Sequence, residues 1–255
     1  MKLEKEEIQK SVLDFYKDIA IGKEKVKKDV NDLAKSFGYS NEELKSIPKE
    51  ANLGLGCGNP QEKSKAKESE VVVDLGCGKG MDAFLARKYC KETGYVIGVD
   101  MTLDMITVAR KIAKKKKYKN VEFRLGEIEH LPIADNIADL VISNCVINLS
   151  TDKKQVYKEI FRILKPGGRI SISDTSLYKH LPESVISDPK MYGTWIAGAL
   201  TLDELKKILK EVGFIDLDID IKEISDQYRD KWGIKEVDLK EYLRKTITVA
   251  YKPIK

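Results

Sequence analysis

The sequence predicts an α/β fold: a mostly parallel sheet with helices on both of its faces. From residue 71 onward, short β-branched runs alternate with segments of helical period, the pattern of repeated β-α-β units. A glycine-rich loop, Leu75-Gly76-Cys77-Gly78-Lys79-Gly80, joins the first such strand to the first such helix. Its first four residues also occur upstream, as Leu55-Gly56-Cys57-Gly58, in a setting that starts no helix.

The elements follow in order. Val71-Val72-Val73-Asp74 is a buried strand, and Met81 to Tyr89 has the apolar spacing of a helix packed on a sheet. Tyr95 to Asp100 forms the second strand, Leu103 to Lys115 a helix, and Val121 to Leu125 the third strand. Ala138 to Ser143 is the fourth, followed by a helix from Asp152 to Leu164, a turn at Lys165-Pro166-Gly167-Gly168, and a fifth strand to Asp174. A helix over 202–212 and strands over 214–221 and 246–251 complete the pattern. Residues 1–50 read as two or three charged amphipathic helices forming a cap. Residues 176–200 have no clear period and contain Pro182, Pro189 and Gly193, as a lid-like insertion would. The charged stretch over 222–243 is expected to be exposed.

Composition excludes several function classes. A chain of 255 residues has ample length for a core. It holds no apolar run that could span a membrane and no signal-peptide pattern at its charged N-terminus. Its four cysteines do not make a disulfide framework, so free thiols in a reducing cytoplasm are expected. The net charge is +5, but acids and bases are intermixed, and the Lys114–Lys117 run sits at a helix end, where cations suit the dipole. That run reads as a solvated face, so no nucleic-acid partner is expected.

The loop after the first strand offers backbone to a cofactor, and amides at the helix start favour its negative end. Asp100, ending the second strand, stands where an acid would accept hydrogen bonds from ribose hydroxyls. That leaves a nicotinamide dinucleotide or S-adenosylmethionine. The spacing Gly76-x-Gly78-x-Gly80 departs from the dinucleotide pattern, and Asp74 would repel a pyrophosphate while suiting an amine and a sulfonium. The upstream copy runs into Asn59-Pro60 and a charged stretch, so it is a turn carrying a thiol.

With Gly126-Glu127-Ile128 after the third strand and Leu164 to Gly168 before the fifth, these residues resemble the class I S-adenosylmethionine-dependent methyltransferases. The resemblance implies a Rossmann-like sheet of seven strands, the last antiparallel. It implies that Gly76, Cys77 and Gly78 line the methionine part of S-adenosyl-L-methionine beside Asp74. Asp100 and Met101 would hold the ribose, and Glu127 and Ile128 would flank the adenine. Asn144 would complete the cofactor set.

A narrower resemblance covers Ser36 to Ser40, Ile47 to Pro60, Gly98 to Thr102, Arg124 to Glu129 and Ser143 to Leu149. These segments resemble the arsenite methyltransferases. In that family such cysteines bind trivalent arsenic, which nominates Cys57 and Cys145 as catalytic and substrate-binding ligands. Tyr16 resembles a residue of the family's N-terminal helix that closes over the cofactor. The implied organisation is a cap with the Cys57 loop over residues 1–60 and a methyltransferase domain over 61–255.

The chemistry agrees with that assignment. Arsenic(III) is soft and thiophilic, and thiolates hold such centres. Its lone pair can attack a sulfonium methyl without a general base; the chain has only two histidines, His130 in a loop and His180 in the lid-like segment. Cys77 reads as a contributor of backbone and Cys90 as structural or merely exposed. One departure stands out: where the family has a third arsenic-binding cysteine, this chain has Trp195. A tryptophan cannot ligate arsenic. The third position would then fall to a small thiol such as glutathione or to a methyl group, with thioredoxin as another thiol co-substrate; otherwise Trp195 walls a changed substrate pocket. The chain also closes soon after its last strand, without the C-terminal extension of longer family members. The rival readings are methylation of a small organic acceptor and sequestration of a metalloid without turnover.

Overall fold

The computed structural model describes residues 5–23, 29–181, 196, 198–224 and 238–254. Most of the lid-like segment, Trp195 with it, and the charged residues 225–237 therefore lie outside the described residues. Three helices open the chain: α1 (Lys5–Ala20), α2 (Val30–Ser36) and α3 (Asn41–Ser46), then a single 3-10 turn at Lys49–Ala51. The α/β alternation follows: β1 (Val71–Leu75), α4 (Met81–Cys90), β2 (Tyr95–Asp100), α5 (Leu103–Lys115), β3 (Val121–Leu125) and β4 (Ala138–Asn144). After a 3-10 turn at Ile147–Leu149 come α6 (Lys153–Ile163), β5 (Leu164–Leu177), α7 (Leu202–Val212), β6 (Ile215–Glu223), α8 (Leu239–Tyr242) and β7 (Leu243–Tyr251).

The sheet has seven strands in the order β3-β2-β1-β4-β5-β7-β6, and β7 runs antiparallel to both of its neighbours. Strand order therefore reverses between β1 and β4. In a doubly wound sheet a ligand binds at the carboxyl ends of the strands on either side of such a reversal. Alternate residues of β1 enter different cores. Val72 joins Phe84, Leu85, Ile106 and the cap residues Leu33 and Phe37 on one face. Val73 and Leu75 join Ile97, Ile160 and Ile163 on the other. A strand buried on both faces needs a continuous apolar run, which is why three valines in a row serve here.

Local signals set the helix ends. Ser40 caps α3 and Thr201 caps α7, each in a capping box with Glu43 or Glu204, and α7 stops at Gly213, whose φ is 111°. Buried Met105, Ile106, Ala109, Ile112 and Ala113 recur at helical spacing along α5. The N-terminal helices are fastened to the sheet unit by side chains: Tyr39 donates to Asp82 at 2.6 Å and Tyr89 donates to Glu43 at 2.7 Å.

Three expectations are corrected. The turn expected at Lys165–Gly168 is a bulge inside β5, because Leu164 already pairs with Ala138 and Arg169 with Leu140, so ladder contacts bracket it. The charged stretch beginning at residue 222 is not exposed at its ends, since Ile224, Leu239 and Leu243 are buried in the core. The four cysteines are not all free thiols: Cys57 and Cys145 are joined by a disulfide across 88 residues of sequence, while Cys77 and Cys90 remain free.

Candidate active site

A cavity of about 400 Å³ opens at the strand reversal. Its floor is the turn after β1, where the amide of Gly78 donates to Asp100 Oδ2 at 2.8 Å. The other Asp100 oxygen accepts from Thr102 N, also at 2.8 Å. A carboxylate has about four lone-pair sites, so Asp100 keeps accepting capacity toward the cavity. Glu127 and Ile128 line it beyond β3, and Tyr16 lines it from α1. Met101, Cys77 and Asn144 complete the contact between the predicted cofactor residues and this space.

The cavity is rich in buried acids. Asp74, Asp82 and Asp100 all border it, and burial raises the carboxyl of each above its ordinary range, Asp82 to about 6. The mutual repulsion of Asp74 with Asp82 and Asp100 adds to the shift of Asp74. Asp74 is 2% exposed, and its Oδ2 has no hydrogen-bond partner. A buried unpaired carboxylate oxygen is costly unless a ligand satisfies it, and a cation is what three acids would select.

The second half of the site lies beside it. The turn at Cys57–Pro60 lies against Asn144, at the carboxyl end of β4, and against Ser171 and Ser173 within β5. An added Cβ at Gly58 would sit 2.0 Å from Ser173 Oγ and 2.6 Å from Lys245 Cε, so only glycine lets the turn lie that low. Asn144, the last residue of β4, clasps the turn. Its Oδ1 accepts from Cys57 N at 3.1 Å, and its Nδ2 donates to Gly58 O at 2.8 Å. That amide group also reaches Asp82 and Tyr39, linking the turn to the acid-lined cavity. Cys145 follows with φ at 57°, its amide donating to Ser173 O at 2.8 Å. The result places the Cα atoms of Cys57 and Cys145 5.9 Å apart, both side chains buried, with Cys145 on the cavity wall.

Asp174 adjoins both sulfurs: one of its oxygens and the two Sγ atoms all lie within 4.8 Å of one another. Its carboxyl is pushed up to about 7, chiefly by burial, against hydrogen bonds from Thr175 and Asn148. Asp82, Tyr39, Ser173 and Asp174 were not nominated from the sequence. A signal for Asp174 existed, since it sits near the carboxyl end of a strand as Asp74 and Asp100 do.

Residues 66–213 match a family model described as a methyltransferase domain. Comparison with solved structures finds an arsenic(III) S-adenosylmethionine methyltransferase from Chlamydomonas reinhardtii. It is 34% identical, with a TM-score of 0.66, over 89% of this chain and 74% of that one. The chain belongs to the arsenite methyltransferase family. An arsenite methyltransferase from Halobacterium salinarum is 46% identical over 184 residues, 72% of this chain and 47% of that protein. The human arsenite methyltransferase is 38% identical over 152 residues, 56% of this chain and 40% of that one. The chain thus spans about half the length of the curated relatives it matches.

The methyl donor of this class, S-adenosylmethionine, carries an ammonium and a sulfonium. The cavity fits it on its own chemistry, through the acids Asp74, Asp82 and Asp100, one of which keeps an orphaned oxygen at Asp74 Oδ2. Burial pushes Cys77 well above the usual thiol range and Cys90 to about 11.

Proposed function

We propose that this chain transfers a methyl group from S-adenosylmethionine to trivalent arsenic held by the thiolates of Cys57 and Cys145. The observation that carries the reading is the meeting of those two sulfurs at the wall of a carboxylate-lined cavity. When bound, the donor supplies an electrophilic methyl carbon on a sulfonium sulfur. Asp74 and Asp100 would hold its ammonium and ribose, Glu127 and Ile128 would flank its adenine, and Tyr16 would cover it from α1.

The remaining tasks fall to the chain. Asn144 and the Ser173 carbonyl fix the backbones of the two cysteines, so arsenic bound between them has one direction for its lone pair. Burial of both cysteines, at 2% and 1% exposure, keeps water from competing. Positioning of this kind supplies on the order of 7–11 kcal/mol of a transfer barrier. No base is required, because the attacking pair belongs to arsenic. The disulfide must be opened first, by a dithiol of the thioredoxin type or by a small thiol, which leaves as its own disulfide. A reducing cytoplasm supplies such thiols.

The test is arsenic speciation by mass spectrometry after incubating the reduced chain with S-adenosylmethionine and arsenite. Methylated arsenic is expected from the wild type and none from Cys57→Ser or Cys145→Ser. No methylated product from either arsenite or methylarsenite in the wild type would reject the reading. Full activity in both serine variants would reject the ligand assignment.

A further inference from the structure

Two tyrosine hydroxyls fasten the N-terminal cap to the sheet unit, and they lead to different places. Tyr89 donates to Glu43 at 2.7 Å, and that contact ends on the capping box of α3. Tyr39 donates to Asp82 Oδ1 at 2.6 Å, and that contact continues toward Cys57. Tyr39 is 3% exposed and Asp82 7%, so water does not compete for either group.

Both groups converge on one side chain. Asn144 Nδ2 lies 3.0 Å from the Tyr39 hydroxyl oxygen, 3.2 Å from Asp82 Oδ2 and 2.8 Å from Gly58 O. An amide nitrogen carries two hydrogens, so these three acceptors share them. The other end of the same amide, Oδ1, accepts from Cys57 N at 3.1 Å and lies 3.9 Å from Cys57 Sγ. Gly56 packs directly on this amide: an added Cβ there would come within 2.9 Å of Nδ2 and 3.0 Å of Oδ1.

An amide has two orientations of nearly the same shape, which exchange its oxygen and nitrogen. The Tyr39 hydrogen is committed to Asp82, so the Tyr39 oxygen accepts, and the Asp82 carboxylate accepts beside it. In the exchanged orientation Oδ1 would face both of these acceptors, and Nδ2 would face the Cys57 N–H. Acceptors would then meet acceptors and donors meet donors in a buried place, where an unmade hydrogen bond costs most. Tyr39 and Asp82 therefore decide that it is the amide oxygen that Asn144 turns to Cys57.

We propose that Tyr39 is a positioning residue of the acceptor site, acting through Asp82 and Asn144 to hold the Cys57 sulfur in register with the Cys145 sulfur. Its consequence for methyl transfer rests on the function proposed above. Its effect on the sulfur pair needs no arsenic to be seen.

The test reads that register as a thiol–disulfide equilibrium. The full chain is equilibrated at pH 8 with mixtures of reduced and oxidised glutathione, then alkylated and mapped by peptide mass spectrometry. For each Cys57–Cys145 bond formed, one glutathione disulfide is reduced to two glutathione thiols, so the constant reports how well the fold presents the two sulfurs to each other. Tyr39→Phe should lower this constant about fivefold, the scale of one buried hydrogen bond, and Tyr89→Phe should leave it within about twofold. In an Asn144→Ala background Tyr39→Phe should cost nothing further, because both changes break one chain of contacts. Asn144→Ser, which also loses the two-ended amide, serves the same cycle if Asn144→Ala does not fold. Initial rates of arsenite methylation should rank the two tyrosine variants in the same order. No shift in Tyr39→Phe, equal shifts in the two tyrosine variants, or additive losses in the Asn144 cycle would each overturn the assignment. A wild type that shows the expected equilibrium shifts between variants but methylates no arsenic would overturn the proposed function and leave the positioning of Cys57 standing.

Discussion

The two Leu-Gly-Cys-Gly copies carry the same four side chains into opposite uses. In the copy at Leu75–Gly78 the backbone faces the cavity: the Gly78 amide donates to Asp100, and the Cys77 thiol turns back toward Gly78 O at 3.8 Å. In the copy at Leu55–Gly58 the side chain faces the site, and Cys57 reaches Cys145. What differs is the preceding chain. A strand before Leu75 aims the loop along the sheet into α4, whereas an irregular segment before Leu55 lets the turn cross the strand ends. A tetrapeptide is therefore a set of permissions, and the flanking elements choose which one is used.

The contrast breaks most sharply at the two cysteines. Cys57→Ser should lower arsenic methylation by about two orders of magnitude or more, the scale on which loss of positioning is felt. Binding of the methyl donor, read by calorimetry, should change less than twofold. Cys77→Ser should keep the activity within a few-fold and lose stability instead, because a hydroxyl replaces a thiol in a buried site. Comparable activity losses in the two variants would end the division of labour.

The glycines sharpen it at a smaller scale. Gly58→Ala puts a methyl group 2.0 Å from Ser173 Oγ, and the turn must rise off β5. We expect about 2–3 kcal/mol of lost stability, the usual cost of overpacking, and a lower melting temperature by differential scanning calorimetry. Gly78→Ala meets no atom within 4 Å and pays only for its φ of 53°, about 1 kcal/mol. Equal losses at both positions would mean that the low crossing at Gly58 is not constrained.

Much of this was legible before any coordinates. β2, α5 and β3 fall where the apolar period places them, because a buried strand and an amphipathic helix leave unmistakable spacings. The glycine loop and Asp100 were legible for the same reason, as local features of one β-α unit. The sulfur bond between Cys57 and Cys145 was not, since it depends on how a structureless turn crosses strands far away in sequence. Composition alone argued for free thiols. Nor could the sequence assign Asn144 its clasp on Cys57, because the motif that nominated it concerns the cofactor. Trp195 remains a sequence observation, outside the described residues.

The smallest effect concerns the acids on the two sides. Asp174 lies in the half of the site with the sulfurs, and burial raises it to about 7 against hydrogen bonds from Thr175 and Asn148 and the half-buried Lys153 ammonium. Its ordinary value in an unfolded chain is about 3.9. Between those two values the folded chain holds a proton that the unfolded chain has released. Stability therefore falls as pH rises through this window, and the full penalty is present only above the folded value. From pH 6 to pH 8 the loss amounts to about 1.4 kcal/mol, one pKa unit of linkage. In a chain of this size that is a fall of about 3–5 °C in melting temperature. Asp174→Asn should reduce that slope by about that amount in the disulfide-bonded protein, so the variant gains on the wild type as pH rises. Asp100→Asn, on the donor side, should leave the slope between pH 6 and pH 8 in place. A wild-type slope unchanged in Asp174→Asn would move its origin to another buried acid, with Asp74 and Asp82, both raised by burial, the first to substitute.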